Sequence, residues 1–177
     1  MSDTTSNPPV LSISMSIDPP QFTRGSETPP TISITATSHA SEPITIFTWH
    51  TIFNLKLAQQ RKNLICIDLT TGRRIQLETT KGPQRLQFSF ALDGRDDQFF
   101  VALEPETPMT ITHRFLRSAA VESDKGFTPG HKYRLEIREN EEAEWWRYGK
   151  KEEVIDHASG PSIRLGPIEP VEFEVEG

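Results

Sequence analysis

The sequence is poor in cysteine, with a single one, Cys66, in 177 residues. One thiol cannot form an internal disulfide, which excludes the disulfide-stapled class of small secreted domains. Long apolar segments are also missing, since no run approaches the roughly 20 residues that cross a bilayer. The amino-terminal segment MSDTTSNPP has no apolar signal core. We therefore predict a protein of a reducing compartment, cytoplasmic or alternatively nuclear, with no membrane association.

Concentrated positive charge is absent as well. Nineteen Lys and Arg against 25 Asp and Glu give a net charge of −6. A nucleic-acid-binding surface needs clustered Lys and Arg, and because the basic residues here are scattered, we predict no nucleic-acid partner. No long helical periodicity is visible, and the 14 prolines favour many short elements, because proline interrupts helices and central strands.

What the chain does have is alternation of apolar and polar residues, the pattern of half-buried β-strands. In residues 10–17 every second residue is apolar, from Leu11 to Ile17, and serines lie between them. Residues 1–9 are predicted to be a disordered tail, and residues 53–61 a short helix or a crossing loop. Further strands are predicted at residues 31–37, 44–50, 63–69, 74–79, 85–90, 99–103, 109–115, 131–138, 162–165 and 171–175.

Many short strands without intervening helices predict an all-β fold. The favoured architecture is a two-sheet antiparallel β-sandwich that forms a single domain over residues 10–177, and a barrel is the alternative. Between two of these strands, Thr70, Thr71 and Gly72 form a turn signal and predict a hairpin.

The segment FTPGHKY, with Phe127, Pro129, Gly130 and Tyr133, opens the predicted strand 131–138. It resembles the L-x-P-G-x-x-Y corner of fibronectin type III and related immunoglobulin-like sandwich domains. The resemblance implies that the apolar first residue fills the end of the sandwich, that Pro-Gly turns the chain, and that the tyrosine hydrogen-bonds to upstream backbone. Such domains have about 100 residues, so it also implies extra strands or long loops here. It implies no activity.

The most conspicuous candidate site is the run Trp145, Trp146, Arg147 and Tyr148. In a strand, Trp145 and Arg147 face one way and Trp146 and Tyr148 the other. Trp, Tyr and Arg are enriched at interaction hot spots, so one face is a candidate binding surface. The alternative is that both tryptophans cap the core. The chain also resembles uncharacterised fungal proteins with W-W-R-Y-G-type segments, a likeness that carries no assigned activity.

No catalytic or metal-binding motif stands out. The five histidines show no zinc spacing, and the acidic loop 93–97 does not fit a helix–loop–helix calcium site. Cys66 lies between two isoleucines and is predicted to be buried and inert. The acidic run 139–144 is predicted to be a solvated loop. We predict no metal and no cofactor.

The favoured function is a non-enzymatic module that binds a protein or peptide, for example by strand addition at a sheet edge. The alternative is a small-molecule-binding protein or a cofactor-free isomerase or cyclase with a pocket between the sheets. In that case His50, His113 and Tyr148 are the acid–base candidates. A structural or homo-oligomeric role is a third hypothesis.

Overall fold

Strands account for most of the regular structure in the computed structural model, which describes residues 7–77, 85, 87–116, 126–153 and 160–177. Residues 1–6 of the predicted tail lie outside these ranges. One short helix, α1 (Leu55–Ala58), and a 3₁₀ turn (Asp97–Phe99) accompany the strands. The strands are β1 (Leu11–Asp18), β2 (Gln21–Thr23), β3 (Thr31–Ser38), β4 (Ile44–Phe47), β5 (Leu64–Asp68), β6 (Arg74–Ile75), β7 (Phe100–Leu103), β8 (Met109–Arg114), β9 (Lys132–Ile137), β10 (Glu142–Ala143), β11 (Trp146–Tyr148), β12 (Ile163–Arg164) and β13 (Val171–Glu176).

The strands form four sheets. We call two of them the larger sheets, because their strands are longer or more numerous, and the other two the smaller sheets. The larger ones have the orders β1-β3-β8 and β2-β13-β9-β5-β6, and the smaller ones β11-β4-β7 and β10-β12. Neighbouring strands are antiparallel except β2, which runs parallel to β13. The chain leaves β1, passes a cis peptide bond before Pro19, and joins the five-stranded sheet as β2.

The two larger sheets bury the apolar residues of their alternating strands. In β3, Ile32 and Ile34 point inward and are fully buried. From the five-stranded sheet, Tyr133, Leu135 and Phe173 point into the same interior. This burial accounts for the period-2 pattern in the sequence, because successive side chains of a strand lie on opposite faces.

The smaller sheets are inserted at one end of the larger ones. The last residue of β3, Ser38, pairs with Leu11, the first residue of β1. Near the same end of β3, Ala36 pairs with Met109, the first residue of β8. The end of β9 at Ile137 pairs with the start of β5. The connections that leave these ends contain β4, β7 and β10 to β12. Ile44, Ile46, Trp146 and Ile163 of these strands belong to the same buried cluster as the larger sheets.

The edge of β8 is covered by the segment that contains α1. The buried Gln59 side chain donates to the Arg114 carbonyl at 3.0 Å and accepts from the Leu116 amide at 2.9 Å. An amide side chain thus takes the position of a strand partner, which protects an otherwise open sheet edge. The prediction of a short helix or crossing segment at residues 53–61 is confirmed.

Most predicted strands are present, with ends shifted by a few residues, so the all-β prediction is confirmed. Three predictions need correction. No strand forms at residues 85 and 87–90. The predicted loop 21–30 contains the short strand β2. Residues 74–79 contribute only Arg74–Ile75 within the described part of the chain.

Candidate functional site

The four predicted site residues divide between two environments, because β11 alternates its side chains. Trp145 and Arg147 lie on the outer face of the small sheet β11-β4-β7, where Arg147 is opposite Thr45 of β4. Trp146 and Tyr148 lie on the inner face, with ring centroids 5.1 Å apart in an edge-on arrangement. The predicted division of the run between two faces is therefore observed.

Trp146 belongs to the core and not to an exposed surface. Its side chain is fully buried, and its indole Nε1 donates a hydrogen bond to the Pro161 carbonyl at 2.7 Å. A residue with no exposed surface cannot contact a partner, which corrects its prediction as a binding residue.

A second aromatic group lies outside the main core, on the outer face of the small sheet. We call it the aromatic cluster. Trp145 packs edge-on against Phe100, at 5.5 Å between ring centroids, and lies 5.6 Å from Phe90. Phe47 joins the same face at 5.0 Å from Phe100. The cluster consists of Phe47, Trp49, Phe88, Phe90, Phe99, Phe100 and Trp145.

Beside the aromatic cluster lies a cavity of about 220 Å³ that we call the aromatic cleft. Phe90 and Leu92 line it and are 51 % and 48 % exposed, so together they form an exposed apolar patch beside the cavity. The cleft is lined by Thr45, Phe90, Ala91, Leu92, Asp97, Phe100, Trp145, Arg147, Lys151, Glu152 and Glu153.

Charged groups of both signs surround the aromatic cleft. Lys151 forms an ion pair of 3.0 Å with Asp97 across the 3₁₀ turn. Arg147 is 3 % exposed, and its guanidinium donates to the carbonyls of Lys150 at 2.9 Å and Glu153 at 2.7 Å. Burial lowers the pKa of Arg147 below its ordinary value. Its buried Nε has no hydrogen-bond partner, so Arg147 both shapes the cleft and keeps an unused donor.

The loop that carries Phe88 and Phe90 is held by Asp96. Its buried carboxylate forms an ion pair with Arg85 at 2.6 Å and accepts a hydrogen bond from the Ser89 amide at 2.7 Å. The hydrogen bond from Arg85 holds the pKa of the Asp96 carboxyl below its ordinary value. The Arg85 guanidinium also lies 4.6 Å from the Phe88 ring centre, within cation–π range.

The FTPGHKY segment makes the contact that its resemblance implied. The Tyr133 hydroxyl accepts a hydrogen bond from the Thr128 amide at 2.6 Å. Phe127 is buried among Phe22, Phe115 and Phe173. The turn itself is made by Pro129 and by Gly130, whose φ of +87° favours glycine.

The acid–base candidates of the alternative hypothesis do not meet. His50 contacts Phe47 and Phe88 in the aromatic cluster. His113 contacts Gln59 near the end of β8, and Tyr148 packs on Trp146 on the inner face. Each therefore belongs to a different part of the molecule.

Two other sequence expectations have clear outcomes. Cys66 is fully buried, which confirms its predicted burial, and burial with the nearby Asp68 and Glu136 carboxylates raises its pKa to about 12, as expected for an unreactive thiol. The run 139–144 is not entirely solvated, because Glu141 is 1 % exposed. Within the described residues, no group of three or more His, Cys, Asp or Glu side chains is arranged to hold a metal ion.

No protein-family model matches this chain, and the search of curated proteins found no match either. The described helical segments are too short to cross a membrane.

Proposed function

We propose that the protein is an immunoglobulin-like β-sandwich that binds a protein or peptide partner through the aromatic cleft. The fold part of the proposal is supported by strand order. One sheet is β1-β3-β8, and the other contains β9 and β13 with β2 parallel to β13. Inserted strands follow the ends of β3 and β9, and loops at one end of such sandwiches are common binding sites.

The observation that carries the binding proposal is the pair of exposed apolar side chains at the cleft, Phe90 and Leu92. Half-exposed aromatic residues next to a concave apolar surface are typical of interaction sites. The neighbouring aromatic rings hold Trp145 in one orientation, so binding requires little ordering of side chains.

The size of the aromatic cleft favours a peptide anchor over a small-molecule ligand. Its volume of about 220 Å³ is below the roughly 300–1,000 Å³ of typical small-molecule pockets. A cavity of this size accommodates one large side chain. The Asp97–Lys151 ion pair and Glu152 at the rim can then contact polar groups on either side of that anchor. The buried free thiol of Cys66 supports a reducing compartment as the place of action.

Selection from a random peptide library tests this proposal. We expect enriched peptides with a common aromatic or large aliphatic residue. Phe90→Ser should weaken their binding about ten-fold, equivalent to about 1.4 kcal/mol. Val10→Ser is the matched control, because Val10 is 69 % exposed and lies outside the cleft. Equal binding by wild type and Phe90→Ser would contradict the proposal, as would the absence of any enriched peptide.

A further inference from the structure

Three polar side chains from separate segments meet beside the carboxyl end of β3. The Ser12 hydroxyl lies 2.5 Å from His39 Nε2. On the other side of the ring, His39 Nδ1 lies 3.0 Å from both carboxylate oxygens of Glu106. A hydroxyl, an imidazole and a carboxylate joined in this order form the arrangement that activates a serine nucleophile.

The proton positions follow from the chemistry of the three groups. A carboxylate only accepts, so Nδ1 of the neutral His39 ring carries the proton that is donated to Glu106. Nε2 is then an acceptor and faces the Ser12 hydroxyl. The ring is thereby held in the tautomer that can remove the serine proton.

Backbone contacts fix the three residues relative to one another. Ser12 is held by the β1–β3 register opposite Thr37. The His39 amide donates to the Val10 carbonyl at 3.0 Å, and the Glu106 amide donates to the Ser38 carbonyl at 2.8 Å. These contacts fix the backbone positions from which the three side chains extend.

Glu106 adopts a backbone conformation that its residue type disfavours. Its φ is +54°, in the left-handed region where glycine is preferred and other residues are strained. Such strain is concentrated at functional sites. Here the strained residue is the one that supplies the carboxylate to His39, which gives an observation independent of the hydrogen bonds.

The backbone amides of β1 that point away from β3 are the candidate donors for a developing oxyanion. Because Val10 and His39 form a hydrogen-bonded pair, the alternation of an antiparallel ladder directs the amides of Leu11 and Ile13 away from β3. β1 pairs with β3 alone among the described strands. Within the described residues, the Ile13 amide, next in sequence to Ser12, therefore has no strand partner and is the candidate donor to the oxyanion.

We propose that Ser12, His39 and Glu106 form a hydrolytic site for small, sterically open carboxylic esters. Ser12 Oγ attacks the ester carbonyl carbon while its proton passes to His39 Nε2. The C–O bond to the alcohol then breaks, and His39 returns the proton to the departing alkoxide, leaving an acyl-serine. Water, deprotonated by His39, attacks this acyl group and releases the acid and free Ser12. Ser12 and His39 are the catalytic residues, and Glu106 is a positioning residue.

The surroundings limit the substrate class. The site is open, with His39 and Glu106 side chains 39 % and 65 % exposed, so it provides no enclosed acyl pocket. The nearest apolar surface on the same strand face is the exposed Val10, two residues before Ser12. A short acyl chain can lie on this residue, whereas a long chain would remain in water.

A fluorophosphonate probe tests the nucleophile directly. The probe's phosphorus is attacked by Ser12 Oγ, fluoride leaves, and the proton passes to His39. Peptide mass spectrometry should locate the label on Ser12, and Ser12→Ala should abolish it. Ser14→Ala is the matched control, because Ser14 lies on the same face of β1, is exposed and is next along that face. Labelling of Ser12 no faster than of Ser14 would overturn the proposal.

Hydrolysis of p-nitrophenyl acetate, followed with each variant, tests the other two roles. His39→Gln should lower kcat by about 100-fold. Glu106→Asn suits the left-handed backbone and removes the carboxylate. It should lower kcat with KM unchanged and leave the melting temperature equal or higher. Unchanged kcat in Glu106→Asn, or wild-type turnover in Ser12→Ala, would overturn the proposal. Ser14→Ala should hydrolyse the ester at the wild-type rate, because Ser14 is exposed on the same face of β1 without belonging to the site.

Discussion

At the scale of single residues, Asp68 shows how the fold controls a carboxyl group. Burial alone raises its pKa, but hydrogen bonds from His131 and from the amides of Thr70 and Thr71 outweigh this effect. The net pKa therefore lies below the ordinary value. The same contacts close the β5–β6 hairpin turn and join it to β9, since His131 Nδ1 lies 2.8 Å from Asp68.

This lowered pKa predicts a dependence of stability on pH. The contribution of Asp68 is present above the unfolded-state pKa of about 3.9 and is lost as the pH falls through the lower folded-state value. Asp68→Asn should therefore lower the free energy of unfolding by about 1 kcal/mol at neutral pH and by much less in acid. Urea titrations of both proteins across this range measure the difference. Glu104→Gln removes an exposed carboxylate as a control, and a constant difference for Asp68→Asn would contradict the prediction.

At the scale of elements, Glu141 joins the insert after β3 to the insert after β9. Its carboxylate accepts from the Ile52 amide at 2.9 Å, from Asn63 Nδ2 at 2.9 Å and from Arg138 Nε at 2.6 Å. Every one of these donors comes from a segment that leads into or out of the smaller sheets. A buried charge with this number of hydrogen bonds fixes the relative position of those segments.

Removal of this carboxylate should destabilise the protein strongly. Glu141→Ala leaves the buried Ile52 amide without its acceptor and removes the partner of the partly exposed Arg138. Asn63 keeps its bond to the His50 carbonyl. We expect a loss of about 2 kcal/mol in the free energy of unfolding. Glu142→Ala, one residue along and exposed, should change it by less than about 0.5 kcal/mol. Urea unfolding followed by circular dichroism gives both values. Similar small losses in the two variants would show that Glu141 does not hold the inserts together.

Some strands of the fold are predictable from the sequence alone, and others are not. Alternation predicted β1 and β3 well, because one face of each strand is buried along its whole length. The alternation at residues 85–90 predicted a strand, but no strand forms at residues 85 and 87–90. Phe88 and Phe90 instead pack against other rings of the aromatic cluster. There the Ser89 amide is satisfied by the Asp96 side chain. No local pattern distinguishes that arrangement from a strand.

Sites assembled from distant segments were the least predictable. The run Trp145 to Tyr148 was found because it is contiguous, but its partners Phe90 and Phe100 come from other segments. Ser12, His39 and Glu106 carry no shared motif, and they meet only through the β1–β3 register and the turn before β8. Likewise, the sequence places Glu141 in an acidic run that predicts an exposed side chain. Only the fold shows that it is buried and bonded to Asn63 and Ile52.

At the scale of the whole molecule, one continuous core connects the larger and smaller sheets. Ile46 and Trp146 of the small sheet lie in the same buried cluster as Leu135 and Phe173 of the five-stranded sheet. Two parts that share a core lose apolar contacts together, so neither is expected to remain folded alone. The two proposed sites, which lie on the inserts and beside the end of β3, then depend on a single folding equilibrium.

The positions of the tryptophans and the cysteine allow this cooperativity to be measured. All three tryptophans, Trp49, Trp145 and Trp146, lie in or beside the small sheet, whereas Cys66 lies in the five-stranded sheet. With its pKa raised to about 12, Cys66 should react with iodoacetamide only when its surroundings unfold. We expect tryptophan fluorescence and pulsed alkylation of Cys66 to give the same midpoint in urea. If fluorescence changed at lower urea than alkylation, the inserts would unfold first, and the continuous core would not be the unit of stability.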